Sequence, residues 1–173
     1  FKQKNTNSKK YWDLIEKNKK ELNKNKVIEN FNSLLDKAVR RHLISDRRIG
    51  ISLSGGNDSE IITHHIKKFK DNIETVTYEF ENNNLNEGLK AAQISKKYQF
   101  KNHRVLINPK YIIDNFQNII NEFESPFTSI RLFGSRKLFR KFKSLNIPVV
   151  LEGSGGDEML GGYDHNIISH FKD

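Results

Sequence analysis

Cysteine is absent from the chain. That removes disulfide bonding, thiolate catalysis and cysteine-ligated zinc, and it accords with a reducing compartment, so the cytoplasm is the expected location. No apolar run approaches the roughly 20 residues that a membrane helix needs. No secretory signal pattern is visible at the start of the chain, at Phe1, and no membrane partner is expected. Internal repeats are missing too. So are two common glycine signatures, G-x-x-x-x-G-K-[ST] with its lysine and G-x-G-x-x-G. Of the six histidines, those at positions 64, 65, 103 and 165 suggest a metal site at first sight, but none pairs with an acid at a spacing that would hold a catalytic zinc.

What the chain does have is charge. Charged residues make up 29% and hydrophobic ones 35% of 173 residues, which suits one domain with a polar surface and one substantial core. The net charge of +9 could attract polyanions. Yet the lysines are scattered and interleaved with asparagines, as composition bias would leave them, so nucleic acid is not the expected partner. The run Arg136, Lys137, Arg140, Lys141 and Lys143 reads as a solvated helix face. Phe116, Phe123, Phe133, Phe139 and Phe142 fall at helical spacings and read as packing residues.

Residues 1–26 are polar and rich in Lys, Asn and Glu, and read as a flexible N-terminal segment or linker. Residues 27–173 form the expected domain. Its first element is an amphipathic helix over Val27–Leu43. A short strand, Arg48–Ser54, runs into Gly55-Gly56. Helix Asp58–Phe69, strand Glu74–Phe80, a loop at Asn82–Asn86, helix Glu87–Tyr98 and strand His103–Ile107 follow. Helices Lys110–Phe123 and Arg131–Leu145 lead to a last strand, Pro148–Glu152. Strands alternating with helices predict an α/β fold, a Rossmann-like doubly wound parallel sheet. Such sheets bind ligands at the carboxyl ends of their strands, and both glycine-rich segments lie there, so the two could share one crevice.

Ser54-Gly55-Gly56-Asn57-Asp58-Ser59 stands between a strand and a helix. The glycines permit a tight turn and let backbone N–H groups approach an anion. The helix start adds free N–H groups and partial positive charge, and Ser54 and Ser59 offer hydroxyls. Asp58 would repel a phosphate unless a cation lay between them, and Mg²⁺ meets that need. The alternative is an ordinary turn capped by Ser and Asp. The second loop, Gly153–Tyr163, has five glycines in its first ten residues. Asp157 and Glu158 suit a helix start, but Gly161-Gly162 would stop that helix almost at once, as if the chain had to bend around something.

Together these segments resemble the synthetase domain of the glutamine-hydrolysing asparagine synthetase family, a branch of the ATP-pyrophosphatase superfamily with the adenine nucleotide alpha-hydrolase-like fold. Ile51–Ser59 matches its SGGxDS loop, and Gly153–Tyr163 its G-x-G-x-D-E-x-x-G-G-Y segment. Asn86–Ala92, Glu124 with Ile130-Arg131, and Tyr11-Trp12 resemble further stretches. The resemblance runs from about residue 11 to 165, and relatives in the superfamily include β-lactam synthetases and lasso-peptide cyclases.

The resemblance implies ATP and Mg²⁺ as cofactors, and an AMP-forming ligase that adenylates a small-molecule carboxylate, such as aspartate, for amide formation. Pyrophosphate would lie on Ser54, Gly55, Gly56, Asp58 and Ser59, with Asp58 as the metal ligand. Adenosine would lie against Leu53 and Tyr78–Phe80. Gly153, Gly155 and Gly156 would close on the nucleotide, and Asp157 and Glu158 would organise that loop. Glu124 would orient or deprotonate the attacking nitrogen, and Arg131 would hold an anionic group. A separate glutaminase domain or chain is the implied source of ammonia, and an oligomer is compatible with the sequence.

Three departures accompany the resemblance. The family's second metal-binding acid would fall within Ser125–Ser129, where there is none. Its catalytic lysine would fall beyond Asp173, making the domain a truncated one. The N-terminal cysteine of the glutaminase is not in this sequence. Two other readings are a tRNA-modifying ATP pyrophosphatase and a non-catalytic nucleotide-binding domain.

Overall fold

In the strands, side chains alternate between two covered faces, and that alternation decides where the helices sit. The computed structural model describes residues 8–11, 23–81 and 87–163. Its elements are α1 (Lys24–His42), β1 (Ile49–Ser52), α2 (Asn57–Lys67), β2 (Glu74–Phe80), α3 (Glu87–Lys97), β3 (Lys101–Ile107), α4 (Pro109–Phe123), α5 (Arg131–Ser144), β4 (Val149–Leu151) and α6 (Gly156–Leu160). The expected loop at Asn82–Asn86, Trp12 and His165 lie outside the described residues.

The odd residues Ile49, Ile51 and Leu53 point to one face, against Val39 of α1, its C-cap Leu43, Ile66 of α2 and Ala91 and Ile94 of α3. Val76 of β2 points the other way, onto Leu138 and Phe142 of α5. Ile107, Ile119 and Phe133 extend that second layer to α4. Both faces of the sheet are thus covered, as a parallel sheet requires. Ile51 is fully buried at 0% exposure, so its truncation to Ala would cost about 2–5 kcal/mol.

All strand pairs are parallel, in the order β3-β2-β1-β4. The chain therefore lays β2 and β3 to one side of β1 and then crosses back to put β4 on the other. This reversal is the switch point at which open α/β sheets leave a crevice. It places the ends of β1 and β4, and both glycine-rich loops, side by side.

The helices begin where polar caps allow. α1 starts at Lys24, before the apolar period becomes visible at Val27, because Asn23 accepts a hydrogen bond from the Asn25 N–H. Asn108 caps α4 in the same way, accepting from the Tyr111 N–H at 2.8 Å, with Pro109 in the first turn. The expected solvated basic face of α5 is only partly solvated. Arg136 forks onto Glu122 with two bonds of 2.7 Å and also reaches Asn115. Lys137 donates to the Leu106 carbonyl across the sheet edge and lies over the Tyr111 ring. These two cations face α4 and β3 and hold them to α5. Of the five phenylalanines, Phe133 and Phe142 are core, while Phe116, Phe123 and Phe139 are about half exposed.

Candidate functional site

Parallel register sets up the site. Ile51 stands opposite Leu151, so the residues that follow β1 and β4 leave the sheet as neighbours. A cleft of about 680 Å³ opens between them. The first loop contributes Ser54, Gly56, Asp58 and Ser59 to its lining, and the second contributes Glu152, Gly153, Ser154 and Asp157. Tyr78 of β2 forms part of the floor, and Arg131, Ser135, Leu138 and Phe139 of α5 form a wall.

The first loop turns at Gly55, whose φ is +83°, a conformation that side chains strongly disfavour. α2 then starts with Gly56 as its N-cap and no side-chain cap. The first hydrogen bond inside the helix runs from the Glu60 N–H to the Gly56 carbonyl. The N–H groups of Asn57, Asp58 and Ser59 therefore have no acceptor within the helix, and all three residues line the cleft, while the Gly56 N–H donates to Ser54 Oγ at 3.3 Å. The two hydroxyls serve the loop itself: Ser54 Oγ donates to Ser59 Oγ at 3.1 Å, and Ser59 Oγ donates to the Gly56 carbonyl at 2.8 Å. The serines thus hold the loop's shape, and an anion placed here would meet backbone N–H groups.

The second loop lies directly on the first. A Cβ on Gly156 would come within 2.5 Å of the Asp58 carboxyl group, and one on Gly153 within 2.8 Å of the Ser59 nitrogen. The Asp157 N–H donates to the Asp58 carboxylate. Even so, Asp58 is held above its ordinary carboxylate pKa, first by burial and then by the charges of Asp157 and Glu158. α6 is cut short at Gly161, with φ +71°, and the N–H groups of Gly161 and Gly162 both return to the Asp157 carbonyl. The predicted early break in this helix is therefore present, and it fixes Asp157 beside Asp58.

Asp58 and Asp157 both line the cleft, and the charge of Asp157 raises the pKa of Asp58, so a divalent cation held here would relieve the repulsion of this acid pair. Two carboxylates leave the remaining positions to phosphate and water, as Mg²⁺ favours. Tyr78 is half buried. Burial raises the pKa of its hydroxyl, Arg131 lowers it, and Glu87 and Glu152 raise it. Arg131 lines the cleft, and among the described residues its guanidinium has no hydrogen-bond or ion-pair partner.

Several of the residues expected at the site meet in this cleft: Ser54, Gly56, Asp58, Ser59, Tyr78, Arg131, Gly153 and Asp157. Others do not line it. Leu53 is 1% exposed, its side chain in the core. Gly55, Gly155 and Gly156 are not among its lining residues; the first two supply the positive-φ turns of the loops, and Gly156 packs on Asp58. Glu158 turns away and accepts the Tyr163 hydroxyl at 2.6 Å. Glu124 is the left-handed C-cap of α4, with φ +52°, and lines a different groove with Phe116, Ile120 and Phe127. Among the cleft residues that the sequence reading passed over are Ser135, Glu152 and Ser154. For Glu152 a signal was present, since it directly follows a strand whose loop was already singled out.

The family model described as asparagine synthase matches residues 30–170. Similar proteins include asparagine synthetase B [glutamine-hydrolyzing] of Escherichia coli (strain K12), 32% identical over 75% of this chain and 26% of its own length. Asparagine synthetase [glutamine-hydrolyzing] 2 of Bacillus subtilis (strain 168) is 31% identical over 79% of this chain and 19% of its own length. The asparagine synthetase [glutamine-hydrolyzing] of Cricetulus griseus is 28% identical over 88% and 28%, respectively. The chain thus spans less than a third of the length of these curated relatives.

Among solved structures, the fold resembles NMN synthetase from Francisella tularensis, with a TM-score of 0.54 and 17% identity over 78% of this chain and 58% of that one. It also resembles the NH3-dependent NAD synthetase from Campylobacter jejuni, with a TM-score of 0.51 and 20% identity over 82% and 61%. Among the described residues, no helix is long and apolar enough to cross a membrane.

Proposed function

The chain belongs to the asparagine synthase family, and from that premise we propose that its cleft binds ATP with Mg²⁺ and transfers AMP to a small-molecule carboxylate, aspartate or a close relative, for amide formation. The observation that carries this reading is the convergence of two loops at the switch point. An uncapped helix start faces the cleft beside the Asp58–Asp157 acid pair.

In this reading the pyrophosphate lies on the open N-terminus of α2, where N–H groups and the helix dipole favour negative charge. Asp58 and Asp157 hold Mg²⁺, which supplies charge neutralisation between the acids and the phosphates. Tyr78 and the apolar wall of Leu138 and Phe139 receive the nucleoside. Arg131, the unpaired cation of the wall, holds an anionic group of the carboxylate substrate. The carboxylate oxygen attacks the α-phosphorus, pyrophosphate leaves, and an acyl-adenylate remains. Ammonia, provided by a glutaminase domain or partner, or another amine then displaces AMP. Positioning and charge stabilisation carry the chemistry.

The test is ATP–pyrophosphate exchange by the purified chain with L-aspartate and other carboxylates, beside thermal unfolding with a non-hydrolysable ATP analogue. A ligand at about 100 times its dissociation constant stabilises a fold by roughly 2.7 kcal/mol. Mg²⁺-dependent stabilisation and carboxylate-dependent exchange are the expected results. Neither effect at millimolar nucleotide would sink the reading.

A further inference from the structure

The adenylation reading leaves one proton without an acceptor. When a neutral amine attacks the acyl carbon, its nitrogen becomes positive and must lose a proton as AMP departs. Glu124, the residue expected for this task, caps α4 and lines another groove. Within the cleft, Asp58 and Asp157 lie against each other and fit the metal. A third carboxylate, Glu152, lines the same cleft.

Glu152 is the first residue after β4, and the register that pairs Ile51 with Leu151 brings it beside Ser52 of β1. Ser154 donates to its Oε1 at 3.0 Å, which orients the carboxylate from within its own loop. The side chain is solvent-exposed and has no ion-pair partner among the described residues. The other oxygen, Oε2, has no hydrogen-bond donor among the described residues to compete with an incoming proton. Glu152 and Arg131 both act electrostatically on the Tyr78 hydroxyl, so carboxylate and guanidinium overlook the same part of the floor.

Resting on the adenylation reading, we propose that Glu152 is the general base of the amide-forming step. The nitrogen–carbon bond forms, the bond from carbon to the AMP oxygen breaks, and AMP leaves with that electron pair. The proton released from nitrogen passes to Glu152 Oε2, while Ser154 keeps Oε1 in place. No oxidant or further reactant is needed.

The experiment uses the full chain with ATP, Mg²⁺ and L-aspartate, as wild type and as Glu152→Gln, Glu152→Asp and Ser154→Ala. Three rates are measured: pyrophosphate exchange, amide formation from ammonium chloride, and acyl hydroxamate formation from hydroxylamine, a nucleophile that depends little on base assistance. Glu152→Gln is expected to lower ammonia-dependent amide formation by ~10²- to 10⁴-fold, with exchange and hydroxamate formation changed far less. Glu152→Asp should restore part of the rate. Ser154→Ala should show a weaker form of the same pattern. Equal loss of all three rates in Glu152→Gln would make the residue a binding or structural one and overturn the proposal, as would an unchanged amide rate. Absence of exchange in the wild type would overturn the adenylation reading itself, and the role of Glu152 with it.

Discussion

The two ends of this sheet treat charge in opposite ways. At the amino ends of the strands, Glu74 receives Arg48 at 2.6 Å and His103 at 2.5 Å, with Lys101 at 3.7 Å. Its pKa falls below the ordinary 4.5, first because of the hydrogen bond from His103. At the carboxyl ends, Asp58 moves the other way, above 3.8, through burial and the neighbouring Asp157 and Glu158. Arg131 there makes no ion pair among the described residues. Charges at the first end answer one another and serve the fold. At the second, Asp58 has like charges and one backbone N–H for neighbours, and Arg131 makes no ion pair among the described residues, so in the proposed reading both are open to a ligand. Identical side-chain chemistry thus takes two roles, set by which end of a strand it occupies.

The contrast breaks most strongly if the two glycine loops are forced apart. Gly156→Ala places a methyl group 2.5 Å from the Asp58 carboxyl. We expect a loss of about 2–3 kcal/mol in stability, together with loss of the nucleotide-dependent rise in unfolding temperature. Urea denaturation with and without the ATP analogue measures both. An unchanged analogue response would mean that the acid pair does not form the ligand site.

Next in size is the paired end. Glu74→Gln leaves Arg48, His103 and Lys101 without their shared acid, at an expected cost of about 1–2 kcal/mol near neutral pH. Glu74 has a lowered folded pKa, so its contribution is present above the unfolded value and is lost as pH falls through the folded one. The variant and the wild type should therefore converge in stability in acid, below about pH 4, when urea midpoints are compared across pH.

Asp58→Asn should shift stability in the other direction, and by less. A raised folded pKa means that Asp58 favours the fold when protonated, below the unfolded value of 3.8, and that this benefit is lost as pH rises through the folded value. At neutral pH the ligand-free variant should be slightly more stable than wild type, by less than about 1 kcal/mol, yet should lose the Mg²⁺-dependent part of nucleotide stabilisation. A variant that is less stable at pH 7 and still responds to Mg²⁺ would contradict the assignment of this carboxylate as a functional liability.

Much of this was legible in the chain itself. Helical spacing of apolar residues, with short strands between the helices, announced the alternation of strands and helices, and the position of both glycine loops after strands pointed to a shared crevice. The sheet order, by contrast, is carried by long-range pairing: no local pattern says that β4 returns to the far side of β1. The break in α6 could be read from Gly161-Gly162, because a glycine stop is a local matter. The displacement of Glu124 could not, since it depends on α4 running on to Phe123 and closing with a left-handed cap. Leu53 lies in a segment that reads as site, but alternation turns its side chain into the core. Arg136 and Lys137 read as solvated because their partners, Glu122 and the Leu106 carbonyl, come from other elements.

The smallest expected change in stability belongs to Arg131→Ala, and that smallness is the point of the comparison. An arginine engaged as Arg136 is, with Glu122 and Asn115, leaves buried partners behind when it is removed. Arg131 touches no such partner, so its truncation should move the urea midpoint by no more than the equivalent of about 0.5 kcal/mol. Its absence should instead raise the carboxylate concentration needed for half-maximal pyrophosphate exchange, by on the order of 10- to 100-fold, as the loss of one charge-assisted hydrogen bond worth about 1.5–3 kcal/mol implies. Nucleotide stabilisation measured without carboxylate should hardly change. If stability falls and the carboxylate dependence stays, Arg131 belongs with Arg48 among the charges that serve the fold, and the unpaired end of the sheet is unpaired for some other reason.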